Sequence, residues 1–343
     1  MNIHRTPEID HFFQRCIENI QNEDKNRFLG LEVSFENEKI IQQAMAEAGF
    51  QEFEGPIEHW PSLFLRANDI LLNPYTSSIK LDIIKHDGFR YTSEQLPSHQ
   101  LFNVSGVIFD QNRECNDWMM LRALDHPVNA AVLWQDDDVW MLDAPSESAT
   151  IDPYAKKAKG NVLTFGLGIG YFVFMALLNP EVKSVTVIEK SHSVISMFRQ
   201  YILPQFPDHD RVTIIEGDAF DYFNETYLAK FDYVFVDIWK SSEDGFLIIE
   251  KLLQQYLPPV DKIDFWIESS CFEFIPSLIM LYFQSLITKK TPKLQHPADR
   301  RVFKKIKSYF DHDDIIISDV ECLKDRMYDL SKIRTIVSST SKG

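Results

Sequence analysis

Hydrophobic positions near the start of the chain recur at helical spacing. Ile9, Phe12, Phe13, Cys16, Ile17 and Ile20 share one face and predict a helix beginning near Pro7, and a second is expected from Glu38 to Ala48. From about Ser62 to Asp110 the pattern is mixed, with strand-like runs at Ile79 to Ile84 and Val104 to Phe109. The runs AVLW (131–134) and VWML (139–142), separated by a polar turn from Gln135 to Asp138, read as a β-hairpin. Residues 1–145 are therefore expected to form an accessory region of helices followed by β-structure.

Beyond residue 146 the rhythm changes. Short apolar strands are expected at Val162 to Phe165, Val185 to Ile188, Val212 to Ile215, Tyr233 to Val236 and Phe265 to Ile267. Helices fit between them: Gly170 to Leu178, a segment capped by Ser191 and running to Tyr201, Ala219 to Leu228, and Asp244 to Tyr256. Ile315 to Ile317 and Ile333 to Val337 could add two last strands. This alternation predicts an α/β fold for residues 146–343: a Rossmann-like, doubly wound, mostly parallel seven-stranded sheet with helices on both faces.

Composition narrows the chemistry. The balance of 45% hydrophobic and 25% charged residues is that of a soluble globular protein, and 26 phenylalanines imply an aromatic core. A net charge of −16 repels phosphate backbones, so nucleic acid is not an expected partner unless a local basic groove exists. The one candidate groove, Arg300, Arg301, Lys304, Lys305 and Lys307, reads as a solvated helix face. Cys16, Cys115, Cys271 and Cys322 share no metal or disulfide spacing and read as free thiols. His209 and His312, each within an Asp-His-Asp triplet, have no second ligand cluster, so no metal is expected. The apolar run from Cys271 to Ile287, broken by Glu273, Pro276 and Gln284, reads as a buried helix rather than a membrane span. The opening MNIHRTPEID lacks the apolar core of a signal peptide, so a cytoplasmic location without membrane contact is expected. A homo-oligomer is compatible with all of this. Asn73-Pro74-Tyr75 reads as a turn.

In a doubly wound sheet, ligands bind beyond the carboxyl ends of the strands, where strand order reverses. The residues following the first four strands suit such a ligand. The first strand ends in Gly166-Leu167-Gly168-Ile169-Gly170, where glycines allow a tight turn and close approach to the backbone. The second ends at Glu189, a carboxylate able to accept two ribose hydroxyls. Gly217-Asp218-Ala219-Phe220 follows the third, and Asp237-Ile238-Trp239 the fourth.

Here the chain resembles the class I S-adenosylmethionine-dependent methyltransferases. VLTFGLGIGYFVFMAL resembles their glycine-rich first motif, VTVIEK their ribose-binding second, and VTIIEGDAFDYF their adenine-binding third. FDYVFVDIW resembles the fourth, which faces the methionine part and the acceptor. The resemblance covers residues 160–270. It implies S-adenosyl-L-methionine as cofactor, passed by Gly166, Gly168 and Gly170, with Glu189 on the ribose and Asp218 and Ala219 on the adenine. It also implies a place for Asp237 near the reacting centre, as a cofactor contact and a candidate catalytic group. Trp239, Tyr171 and Tyr154 are candidate walls of a pocket for a small-molecule acceptor.

The hairpin and the motif spacing are also similar to spermidine synthases, which share this fold. Those enzymes carry a Gly-Gly-Gly-Asp-Gly type loop, and they place an amine-binding Asp three residues after the position of Asp237. The positions here hold Gly-Leu-Gly-Ile-Gly and Lys240. Methyl transfer is therefore expected ahead of aminopropyl transfer. A nicotinamide dehydrogenase would need GxGxxG, whereas GLGIGY has its third glycine one place early. A non-catalytic nucleotide-binding descendant of the same fold is a further alternative.

Overall fold

Five parallel strands form the central sheet, in the order Val212–Glu216, Val182–Glu189, Gly160–Phe165, Tyr233–Val236, Ile263–Phe265. The structure is a computed structural model describing residues 2–20, 23–50, 55–86, 88–107, 112, 114–115, 120–142, 145–312 and 316–340. Counted along the chain, the strand order is 3-2-1-4-5, so it reverses between Gly160–Phe165 and Tyr233–Val236.

Alternate residues of these strands enter two separate cores, which is why they read as continuous apolar runs. Leu163, Phe165, Val234 and Val236 face Ile249, Ile279, Phe283 and Ile306. Helix Pro7–Ile20, expected from its spacing, adds Ile9, Phe12 and Cys16 to that same core. Val162, Val185, Val187 and Phe235 face Phe172, Val173, Ile195 and Phe198 on the opposite side. The helices there are Tyr171–Leu178 and His192–Met197, the second capped by Ser191, whose hydroxyl accepts from the Val194 N–H. The expected helix after the third strand is two short ones, Ala219–Tyr222 and Glu225–Leu228, because Asn224 starts a new cap between them.

The sheet has five strands among the described residues, not seven. Ile333 to Val337 lies in helix Leu330–Ser338. Asp329 caps that helix, and Ile333, Ile336 and Val337 are buried at helical spacing. Arg334, fully buried on the same helix, donates to both carboxylate oxygens of Glu268 at 2.7 Å. Ile316–Ile317 pairs with Asn2–Ile3 in a separate two-stranded sheet, and Ile315 lies outside the described residues.

Ahead of the central sheet, Phe89–Leu96, Val128–Gln135 and Asp138–Leu142 form an antiparallel sheet, the last two as the expected hairpin. Two other expected strands are absent among the described residues. At Ile79 to Ile84 a side chain takes the place of a partner strand: Gln205 accepts from the Lys80 N–H and donates to the Lys80 carbonyl. Ile79, Leu81 and Ile84 still bury their side chains. Val104 to Val107 is irregular, and residues 108–109 lie outside the described residues. The short strand there is Phe102–Asn103, paired with Leu121–Leu124.

The basic run is a solvated helix face only in part: Arg300, Lys304 and Lys307 are exposed, whereas Lys305 is buried. On helix Pro297–Asp311, Lys305 is buried and donates to Glu250 and the Val337 carbonyl, and Arg301 also pairs with Glu250. Arg300 donates to the carbonyls of Leu294 and Gln295. Among the described residues no helix is long and apolar enough to cross a membrane. The apolar run after the fifth strand becomes helix Phe274–Thr288, with Ile279, Met280 and Phe283 fully buried. The four cysteines are free thiols. Of the two Asp-His-Asp triplets, Asp313 lies outside the described residues, and the described residues hold no cluster of three metal-ligating side chains.

Candidate functional site

A cavity of about 400 Å³ opens at the carboxyl ends of the strands, where strand order reverses. That volume lies within the range of small-molecule sites. Its floor and walls come from the segments singled out above: Gly166 and Gly168, Glu189, Asp218 and Ala219, Asp237 and Trp239.

The glycine-rich turn needs its glycines for different reasons. Gly166, Gly168 and Gly170 all have positive φ, at 93°, 52° and 77°. A Cβ on Gly168 would meet only the end of Met141, at 3.4 Å, on the cavity side. Gly170 does not line the cavity; a Cβ there would fall 2.4 Å from the Phe198 ring. Its glycine serves the packing of helix Tyr171–Leu178 against Phe198, which corrects the expectation that it passes the cofactor.

Glu189 ties two strand ends together. One oxygen accepts from the Leu167 N–H at 3.1 Å, the other from the Ser191 N–H at 2.7 Å. The carboxylate is thus fixed beside the glycine turn with lone pairs remaining. Asp218 caps helix Ala219–Tyr222 through the Phe220 N–H and pairs with Lys190 at 2.7 Å. The Lys190 ammonium first, and the Phe220 N–H second, hold the Asp218 carboxyl below the ordinary aspartate range.

Asp237 differs from both. Its N–H donates to the Phe165 carbonyl, but among the described residues its carboxylate has neither hydrogen-bond nor ion-pair partner. It sits deep at the strand end with one side open to the cavity. Burial, and secondarily the Glu147 charge, push its carboxyl up to about 8. An uncommitted acid of that kind suits proton transfer near neutral pH.

The aromatic candidates separate. Trp239 is buried and lines the cavity, with its Nε1 unpartnered among the described residues. Tyr171 borders the cavity, but its ring packs on Tyr75, and its hydroxyl donates to Asp152 and accepts from Asn73, both at 2.8 Å. Tyr154 does not line it; its ring packs on Phe235 at 5.1 Å, and burial raises its phenol well above the usual value. A ring four residues before Ala158 on helix Pro145–Lys157 faces the core rather than the cavity.

The roof was not singled out from the sequence. Gln135, Trp140 and Met141 of the hairpin lie over the glycine turn. The hairpin itself was legible, but the face that meets the turn is shown only by the contact of Met141 with Gly168.

No protein-family profile and no curated protein sequence matches the chain. Among solved structures, the chain is similar to spermidine synthase from Thermotoga maritima, with 17% identity over 40% of this chain and 50% of that one, at a TM-score of 0.29. It is similar to a putative caffeoyl-CoA O-methyltransferase from Staphylococcus aureus, with 22% identity over 47% and 71%, at 0.26. A dimethyladenosine transferase from Plasmodium falciparum shares 23% identity over 29% and 34%, at 0.22. The matched stretch thus spans a third to a half of the dimethyladenosine transferase and spermidine synthase chains. With overlaps this slight, the functional reading rests on the cavity itself.

Proposed function

We propose that the cavity binds S-adenosyl-L-methionine and that the protein is a methyltransferase acting on a small-molecule acceptor. The observation that carries this reading is the convergence of the glycine turn, Glu189, Asp218 and the uncommitted Asp237 around one cavity. The fit is chemical as well as spatial. Gly168 leaves the backbone open where a Cβ would intrude, and Glu189 and Asp218 offer acceptors for hydroxyl and amino groups.

When bound, S-adenosylmethionine supplies an electrophilic methyl group on its sulfonium. The chain's own part is to hold, orient and exclude water. Gly166 and Gly168 bring main chain against the ligand, Glu189 takes the ribose hydroxyls, and Asp218 and the Ala219 N–H take the adenine edge. Trp140, Met141 and Trp239 keep water from the centre, and fixed geometry of this kind lowers a bimolecular barrier by several kcal/mol, on the order of 7–11 at best. Asp237 faces the acceptor, and its ionised form, populated as pH nears 8, takes on a carboxylate oxygen the proton that the attacking atom loses.

A thermal-shift series tests the reading. S-adenosylhomocysteine at about 100 times its dissociation constant adds about 2.7 kcal/mol of stability, and a raised melting temperature is expected. No shift with S-adenosylmethionine or S-adenosylhomocysteine, together with a shift by NADH, would make the protein a dehydrogenase-type binder instead.

A further inference from the structure

The Asn73-Pro74-Tyr75 segment, a turn by its sequence, reaches the glycine turn from behind. Asn73 caps helix Pro74–Ser78: its Oδ1 accepts from the Tyr75 N–H at 2.9 Å and the Thr76 N–H at 3.4 Å. The cap aims two donors at the central domain. The fully buried Tyr75 hydroxyl donates to the Ile169 carbonyl at 2.7 Å, between Gly168 and Gly170. The Asn73 Nδ2 donates to the Tyr171 hydroxyl, which passes its own proton bond to Asp152 on helix Pro145–Lys157. The Tyr75 ring packs on Tyr171 and Phe174 at 5.2 and 5.5 Å. Neither Asn73 nor Tyr75 lines the cavity.

Three left-handed glycines in five residues leave a turn whose own side chains do little to fix it. The turn closes on itself through the Gly170 N–H and the Leu167 carbonyl at 2.8 Å, and the Gly166 N–H donates to the Ile188 carbonyl. Two side chains add to this: Glu189 accepts from the Leu167 N–H on the cavity side, and Tyr75 donates to the Ile169 carbonyl on the far side. We infer that Tyr75, supported by the Asn73–Tyr171–Asp152 chain, is a positioning residue that holds the glycine turn in its ligand-ready shape. The inference rests on the cofactor reading above. It gives the N-terminal segment a role in binding without any contact to the ligand.

Tyr75→Phe removes one hydroxyl and keeps the ring. Two readouts apply: the dissociation constant for S-adenosylhomocysteine, and amide hydrogen exchange of residues 167–170 in the ligand-free protein. The expected result is binding about three- to tenfold weaker, with faster exchange in the turn and unchanged exchange in Val182–Glu189. Asn73→Ser keeps a capping hydroxyl but cannot reach Tyr171, and should loosen the same amides by a smaller factor. A Tyr75→Phe protein that melts earlier yet binds and exchanges like wild type overturns the inference and leaves Tyr75 a packing residue. A wild-type chain that binds neither S-adenosylmethionine nor its product overturns the cofactor reading and this inference together.

Discussion

The main-chain oxygen of Asp237 lies where a side chain on Gly166 would begin: a Cβ on that glycine would sit 1.9 Å from it. The first and fourth strands therefore meet at the cavity floor with no space between them, and the same contact sets Asp237 beside the glycine turn. With φ at 93° as well, Gly166→Ala combines backbone strain with overpacking, for an expected loss of about 3 kcal/mol or more. Gly168→Ala, which meets only the flexible end of Met141, should lose about 1–2 kcal/mol through its φ alone. Urea denaturation of both variants ranks them, and equal losses would contradict this geometry.

Asp237 gives the fold a pH dependence of definite sign. Its carboxyl is pushed from 3.8 when unfolded up to about 8 by burial first and Glu147 second. The folded chain therefore keeps a proton that the unfolded chain releases. The contribution is fully present below about pH 4 and lost as pH rises through about 8. Asp237→Asn cannot ionise, so its stability relative to wild type should grow between about pH 4 and about pH 8 and level off above. A pH-independent difference in melting temperature would mean that Asp237 ionises as readily folded as unfolded.

The Glu268–Arg334 pair joins the fifth strand's end to helix Leu330–Ser338, which stands where a strand was expected at Ile333 to Val337. Both side chains are buried, and Arg334 also donates to the Ile263 carbonyl. Glu268→Gln would leave the guanidinium without its counter-charge, at an expected cost of about 3–5 kcal/mol. The double variant Glu268→Gln/Arg334→Met should lose less than the single one. If the losses simply add, the two charges do not depend on each other.

How much of this was legible depends on where each constraint resides. The strand-end residues Gly166, Glu189, Asp218 and Asp237 could be read because a parallel sheet puts every strand's carboxyl end at one edge, so sequence order alone groups them. Tyr154 could not be separated from Tyr171 in the same way, since only the fold packs Tyr154 on Phe235 and leaves Tyr171 at the cavity's border. Ile333 to Val337 reads as a strand by its apolar content, although its buried positions follow helical spacing and Asp329 stands at the cap. Met141 and Tyr75 carry no local signal at all: their roles are contacts across long stretches of chain, to Gly168 and Ile169.

Lys240 offers a test of the proposed methyl transfer against aminopropyl transfer. It is exposed at the cavity's edge, and among the described residues its ammonium has no partner. A cation there favours the amino-acid carboxylate of intact S-adenosylmethionine and opposes a polyamine. A charge-assisted hydrogen bond of about 1.5–3 kcal/mol gives a preference of about tenfold or more over the decarboxylated form. Lys240→Asp should narrow that preference. Tighter binding of the decarboxylated form, or spermidine formed from putrescine, would favour aminopropyl transfer instead.

The most direct measurement is a calorimetric titration of S-adenosylhomocysteine into the wild-type protein and into Glu189→Gln. Glu189 is held by two main-chain donors, the Leu167 N–H and the Ser191 N–H, where the first and second strands end at the cavity. If it takes the ribose, the wild type binds one equivalent, and the variant binds about tenfold or more weakly while remaining folded. Absence of binding heat in the wild type, or equal affinity in a folded Glu189→Gln, would contradict an adenosyl ligand in this cavity.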